Sequence, residues 1–342
     1  MQQCLQPQTQ AEQVLPEASV KFRTKRNASL ETVLNENDIV LVDGSSKNIH
    51  EDYGKRTIFA NHYSLINPEE LEREIELNKK LAAVIGSKKA RTIPEIVGEL
   101  EIYARKIRNQ HEFLNSHNTS KKFNSVVKWV LNHLLPEERP FNRRGEALSI
   151  RDRNSEMYGK LVSVVEKCVA LSRSKLINID DPGYEELVGV VKLIDRTIGL
   201  KKSSKMGVQE PDFGFSYHDA DEKLVALAYW ISMFSDRKAA ILTRDRDFFY
   251  LIPITARLLG AKEFLPDNKK FREALHSNPV RLYYRTDEDS CEECDTSVLK
   301  YDSIFVLHNA GKGKSEKARY CVGQFLKHFA DYDREVHLRF ED

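Results

Sequence analysis

The sequence predicts an α/β protein whose strands end in acidic residues, and three stretches carry that prediction. Asp38-Ile39-Val40-Leu41-Val42-Asp43-Gly44 reads as a buried parallel strand, apolar on both faces, that ends in an acid and a small-residue turn. Leu224, Leu227, Ala228, Ile231 and Phe234 recur at helical spacing. Ala239 to Leu242 then makes a second apolar strand that runs into Thr243-Arg244-Asp245-Arg246-Asp247-Phe248. Ligand crevices in such sheets open beyond the carboxyl ends of the strands. Asp221, in the first turn of the helix, and Asp245 therefore converge if helix and strand pack as one α/β unit. Crowded carboxylates repel one another and are tolerated chiefly beside a divalent cation, and oxygen ligands select hard Mg²⁺ or Mn²⁺.

Each acid also has an ordinary reading. Asp219, with Glu222 three residues on, has the form of a capping box, and we assign Asp219 to that cap. Asp43, Asp245 and Asp247 taken singly could be turn residues after strands.

The 342 residues accommodate one large domain with insertions or two domains, and 53 basic against 52 acidic residues exclude strong global steering toward nucleic acid. Any nucleic-acid site must be a local patch. Five cysteines without regular spacing argue against a disulfide framework, and no apolar run reaches membrane-spanning length. A soluble, cytoplasmic protein is expected. Residues 1–27 are polar and Gln-rich and predict a disordered tail.

Further elements follow in order. Ser29 to Leu34 is helix-like, and a helix runs from Pro68 to about Ile85. Thr92-Ile93-Pro94-Glu95 opens another with Thr92 as cap, and Ile93, Ile96, Val97, Leu100, Ala104 and Ile107 form its apolar face. Glu99 and Glu101 flank that face, so one of them can reach a cleft. His50 and His62 have no partner at zinc spacing.

Four segments now stand in order: Val-Asp-Gly-Ser at 42–45, Ile-Val-Gly-Glu-Leu at 96–100, Asp-Glu-Lys-Leu-Val-Ala-Leu-Ala at 221–228, and Leu-Thr-Arg-Asp-Arg-Asp-Phe at 242–248. Together they resemble the four acidic motifs of PIN-domain nucleases. The resemblance implies a three-layer α/β/α domain with a parallel central sheet over 28–285. It also implies Mg²⁺- or Mn²⁺-dependent hydrolysis of single-stranded RNA. Carried over by position, Asp43, Glu99, Asp221 and Asp245 become the catalytic, metal-binding acids, with Asp247 as an accompanying ligand. Ser45, Thr243 and Asp219 become supporting residues. The long gap between Glu99 and Asp221 departs from short members of the family.

That gap predicts a helical insertion at about 116–205. Phe123, Val126, Val127, Val130 and Leu134 mark one helix, Met157, Leu161, Val164 and Cys168 a second, and Leu187, Val190, Val191, Ile194 and Ile198 a third. Anchored between two acid-bearing elements, the insertion is expected to cover the site and restrict it to flexible single strands. Leu135 to Arg153 reads as a loop with five arginines, diluted by acids. Lys201, Lys202 and Lys205, with Arg244 and Arg246, are the candidate RNA contacts beside the acids.

Leu251 to Leu259 reads as helix, Pro279 to Tyr284 as a last strand, and 286–342 as an extension of undetermined role. Cys291 and Cys294 are half of a zinc knuckle and lack two further ligands at the usual spacing. Gly313-Lys314-Ser315 ends a glycine loop after Ile304 to Leu307, yet His308 stands where a P-loop has its first glycine. We read it as a basic loop with Lys312 and Lys314 near RNA. The expected function is therefore a metal-dependent endoribonuclease. The alternatives are a catalytically inactive RNA-binding or scaffold protein of the same fold and, more remotely, a nucleotide-binding module using Gly313-Lys314-Ser315. A homodimer or another protein partner is compatible with the sequence.

Overall fold

In the computed structural model, residues 24–44, 68–115, 143–198, 219–235, 237–245, 248–260, 273, 275–286 and 289–296 are described. Six strands form one sheet: β1 Thr24–Ser29, β2 Ile39–Val42, β3 Ala90–Arg91, β4 Ala239–Thr243, β5 Arg281–Arg285 and β6 Ser290–Cys294. Seven helices are described around it: α1 Leu30–Glu36, α2 Pro68–Gly86, α3 Pro94–Asn115, α4 Arg143–Arg173, α5 Pro182–Ile198, α6 Ala220–Phe234 and α7 Phe248–Gly260.

The strand order is β1-β6-β5-β4-β2-β3. β3, β2, β4 and β5 run parallel, whereas β6 lies antiparallel to β5 and to β1. The sheet is thus mixed, which corrects the expectation of a parallel one. Only four residues separate β5 from β6, a length that antiparallel neighbours allow and parallel ones do not. β1 begins at Thr24, so the residues from 24 to 27, expected in the tail, are paired with β6. β6 in turn draws the first residues of the expected extension into the sheet.

Strand side chains alternate between two cores. Ile39, Leu41, Ala239, Ile241, Leu282 and Cys294 join one cluster, with α3, α5, α6 and α7. Val40, Val42, Ala240, Leu242, Tyr283 and Cys291 join the other, with α1 and the latter half of α2. Central strands buried on both faces explain the unbroken Ile-Val-Leu-Val and Ala-Ala-Ile-Leu runs. Cys291 and Cys294 serve opposite faces, so they form no zinc knuckle; each is a buried free thiol.

Several local signals act as expected. The Ser29 side chain accepts from the Thr32 amide and caps α1. Pro94 stands at the first position of α3, where its missing N–H costs nothing. Thr92 is no cap: it bridges Leu176, and its hydroxyl donates to the Val42 carbonyl at 3.4 Å. α6 is buried on nearly every side, which its sequence shows as an apolar run wider than one stripe.

The insertion differs most from expectation. Tyr158, Leu161 and Val165 of α4 and Leu187, Val188 and Val191 of α5 belong to the same core as the sheet. These helices are part of the fold and do not form a detached cover. α4 begins at Arg143, so much of the expected arginine loop is helical, and Arg151 is buried. The expected helix at 123–134 lies outside the described residues. Among the described residues no helix is long and apolar enough to cross a membrane.

Candidate active site

The chain leaves β2 for β3 on one side and returns to β4 on the other, so the strand order reverses between β2 and β4. Such a switch point opens a crevice beyond the carboxyl ends of the two strands. Asp43 follows β2 and Asp245 follows β4 by two residues, which places both acids at that crevice.

Thr243 connects them. Its Oγ1 donates to Asp43 Oδ2 at 2.6 Å and accepts from the Asp245 amide at 2.8 Å. The Asp43 amide donates to the Leu242 carbonyl at 3.0 Å, which continues the β2–β4 ladder to the acid itself. Asp43 is consequently buried and fixed, while Asp245 remains part-exposed.

Glu99 comes from α3. A Cβ added at Gly44 would meet its carboxylate, so the Glu99 side chain lies against the β2 turn. Glu101, the competing residue on α3, pairs with Arg173 at 2.7 Å and lies away from the crevice.

Asp221 completes the group from the first turn of α6. Its carboxyl is pushed well above the usual range, first by burial and then by the negative charges of Asp43, Asp245, Glu99 and Glu222. The three other sequence-predicted acids thus all act on Asp221. Glu95 and Lys223 form an ion pair across the first turns of α3 and α6, and the Tyr184 hydroxyl donates to the Lys223 carbonyl at 3.1 Å. That pair holds the two acid-bearing helices together. Sequence reasoning missed it, because residues on distant elements announce no pairing; the one available hint was that Glu95 lies one helical turn before Glu99 and Lys223 two residues after Asp221.

Asp219 stands at the N-cap position, but its side chain makes no cap hydrogen bond. It pairs instead with Lys192 of α5 at 2.6 Å. The expected capping box therefore lacks its Asp219 half. Arg244, expected on RNA, is part-buried and acts electrostatically on Glu74 and Arg285. Ser45, Asp247, Arg246, Lys201, Lys202, Lys205 and the Gly313-Lys314-Ser315 loop lie outside the described residues.

The donor set is entirely carboxylate oxygen, which suits Mg²⁺ or Mn²⁺. A cation would also relieve the repulsion that disfavours the Asp221 anion. Among the described residues no three His, Cys, Asp or Glu side chains are set to hold a metal ion. Mg²⁺ fits such an open arrangement, because it retains several waters and uses one or two carboxylates with a substrate phosphate.

Comparison of the chain with protein-family models, with curated proteins and with solved structures gives no match.

Proposed function

We propose that the protein is a divalent-metal-dependent ribonuclease that hydrolyses phosphodiester bonds in single-stranded RNA. In this reading the mixed sheet and its two helical faces form a three-layer PIN-like domain. The observation that carries it is the convergence of four carboxylates on Asp221 at the switch point of the sheet. Burying like charges opposes folding, and a structural role would be met equally well by Asn and Gln.

Asp43, Glu99, Asp221 and Asp245 would hold Mg²⁺ or Mn²⁺. The ion supplies charge neutralisation at the scissile phosphate and lowers the pKa of a bound water. Thr243 fixes the rotamer of Asp43 at the crevice. The Glu99 side chain lies against the β2 turn, and the Glu95–Lys223 pair keeps Glu99 and Asp221 within reach of one another. An RNA phosphate would be repelled by these acids alone, which makes the cation obligatory for substrate as well as for chemistry.

The alternative is an RNA-binding or scaffold protein of the same fold without catalysis, which would account for there being, among the described residues, no three side chains set to hold a metal ion. Thermal melting with Mn²⁺ and cleavage of an unstructured oligoribonucleotide separate the two. The nuclease reading expects Mn²⁺ to raise the melting midpoint and the parent to cleave, with Asp43→Asn and Asp245→Asn folded and inactive. RNA binding without metal-dependent cleavage would establish the alternative.

A further inference from the structure

Glu95, Glu99 and Tyr103 stand four residues apart on α3, so their side chains share one row of the helix. Glu95 is tied to Lys223 of α6. Tyr103 is tied to α2, because its hydroxyl donates to Glu74 Oε1. Glu99, the acid that reaches the crevice, thus lies between two polar contacts to two different helices, one helical turn away on each side.

The α2 end of this row is firmly held. Glu74 is 1 % exposed, and its Oε1 also accepts from Asn78 Nδ2 at 3.1 Å. The same amide donates to the Glu74 carbonyl at 2.9 Å, which keeps the two side chains together on one face of α2. Glu74 Oε2 is buried and accepts no hydrogen bond among the described residues. Burial raises this carboxyl to about 7, and the hydrogen bond from Tyr103 is the strongest of the influences that oppose the rise. Arg285 of β5 donates to the Leu77 carbonyl at 3.0 Å and so anchors α2 to the sheet.

Ile96, Val97, Leu100, Ala104 and Ile107 bury the adjoining face of α3. That attraction is non-directional, whereas a hydrogen bond weakens steeply as its angle departs from the preferred one. Glu99 flanks the apolar face, so a small rotation of α3 about its axis carries the carboxylate along the mouth of the crevice. Directional contacts before and after Glu99 oppose that rotation.

We propose that Tyr103 and Glu74 are positioning residues of the acidic centre: their hydrogen bond sets the rotation of α3 and holds Glu99 at the crevice beside Asp221. The proposal rests on the metal-dependent reading given above.

Mn²⁺ binding to the full-length protein, measured by calorimetric titration without RNA, tests it. Tyr103→Phe, which removes only the hydroxyl, is expected to weaken binding about 10-fold, as loss of an outer-shell partner does. In a Glu99→Gln background the same change should alter affinity by less than about 3-fold, because the residue it acts through is gone. A merely structural Tyr103 would lower the melting midpoint and leave the affinity of the folded protein untouched in either background. Glu74→Gln keeps an acceptor for the hydroxyl and should bind within about 3-fold of the parent. Parent affinity in a folded Tyr103→Phe, a loss of equal size in the Glu99→Gln background, or a loss in Glu74→Gln as large as that in Tyr103→Phe overturns the proposal. Should Tyr103→Phe fail to fold, Glu74→Asp, whose acceptor is withdrawn by one methylene, stands in for it under the same criteria. Should Glu99→Gln bind no Mn²⁺, the affinities of Tyr103→Phe and Glu74→Gln decide. A parent that binds no Mn²⁺ removes the metal-dependent reading and this proposal with it; a parent that binds, with variants that disobey the pattern, removes this proposal alone.

Discussion

The crevice between β2 and β4 and the β1–β6 edge both bury carboxylates, by opposite means. At the edge, Glu293 is buried yet meets Lys25 at 3.2 Å and Arg26 at 2.6 Å. Glu36 there is held below the usual carboxylate range, chiefly by its hydrogen bond to Arg26, with Arg281 adding to the effect. At the crevice, burial and neighbouring acids push Asp221 the other way. At the edge, cations of the chain itself face the acids. At Asp221 further acids stand where the edge has cations, and that difference separates an ion pair that closes a sheet edge from the site proposed to take a divalent cation.

The comparison breaks most sharply at Asp221. Asp221→Asn should lower cleavage by more than about 100-fold, beyond the cost of losing an outer-shell partner. It should also raise the melting midpoint of the metal-free protein, because a repelled buried charge is removed. The sign follows from linkage. A carboxyl raised in the folded state contributes stability that is full below its unfolded pKa and lost as pH rises through the folded value. The metal-free parent should therefore lose stability relative to Asp221→Asn as pH rises, and the Mn²⁺-induced shift of the parent should grow over the same range. Melting curves across pH, with and without Mn²⁺, measure both. Asp219→Asn, which disrupts a part-exposed pair with Lys192, should change cleavage by less than about 3-fold. Equal losses at 219 and 221 would reverse the assignment.

A smaller effect is expected at Thr243. Thr243→Val removes the donor to Asp43 and the acceptor of the Asp245 amide, and should cost about 10- to 100-fold in Mn²⁺ affinity or cleavage. Thr243→Ser should recover most of it. A valine variant with parent affinity would show that Asp43 is positioned without its neighbour.

The smallest effect belongs to the edge. Glu293→Gln should destabilise by about 1 to 2 kcal/mol, since its partners are half-exposed and regain water. Urea unfolding measures the loss, and Mn²⁺ binding should be unchanged. A change in Mn²⁺ binding would mean that the two regions are coupled through the sheet.

Much of this was legible in the chain. The Ile39–Val42 strand and residues Ala239 to Leu242 of the next were visible because burial on both faces leaves no polar residue in either run. α2 and α3 were visible because a single apolar stripe at helical spacing has no other reading of that length. The antiparallel β1 and β6 were not legible. β1 is exposed at most positions, and Ser-Cys-Glu-Glu-Cys shows no alternation, because its cysteines serve opposite cores while charged partners sit across the strand. The role of α4 was hidden for a related reason. Its apolar residues looked like those of any amphipathic helix, and nothing local says whether such a face turns to a lid or to the main core.

The sequence by itself determined the four acids and their order, because each sits beside a local signal: a strand end, a helix face or a helix start. It also determined that Gly44 follows the first acid. Only the tertiary structure decided that Glu99 and not Glu101 enters the crevice, since both flank the same helix face and Arg173, distant in sequence, takes one of them. It likewise decided that Asp219 pairs with Lys192, that Lys223 ties α6 to α3 through Glu95, and that Glu74 accepts from the Tyr103 hydroxyl of α3. Periodicity and capping depend on residues a few positions apart, whereas a charge chooses its partner by distance in space, which the chain alone does not specify.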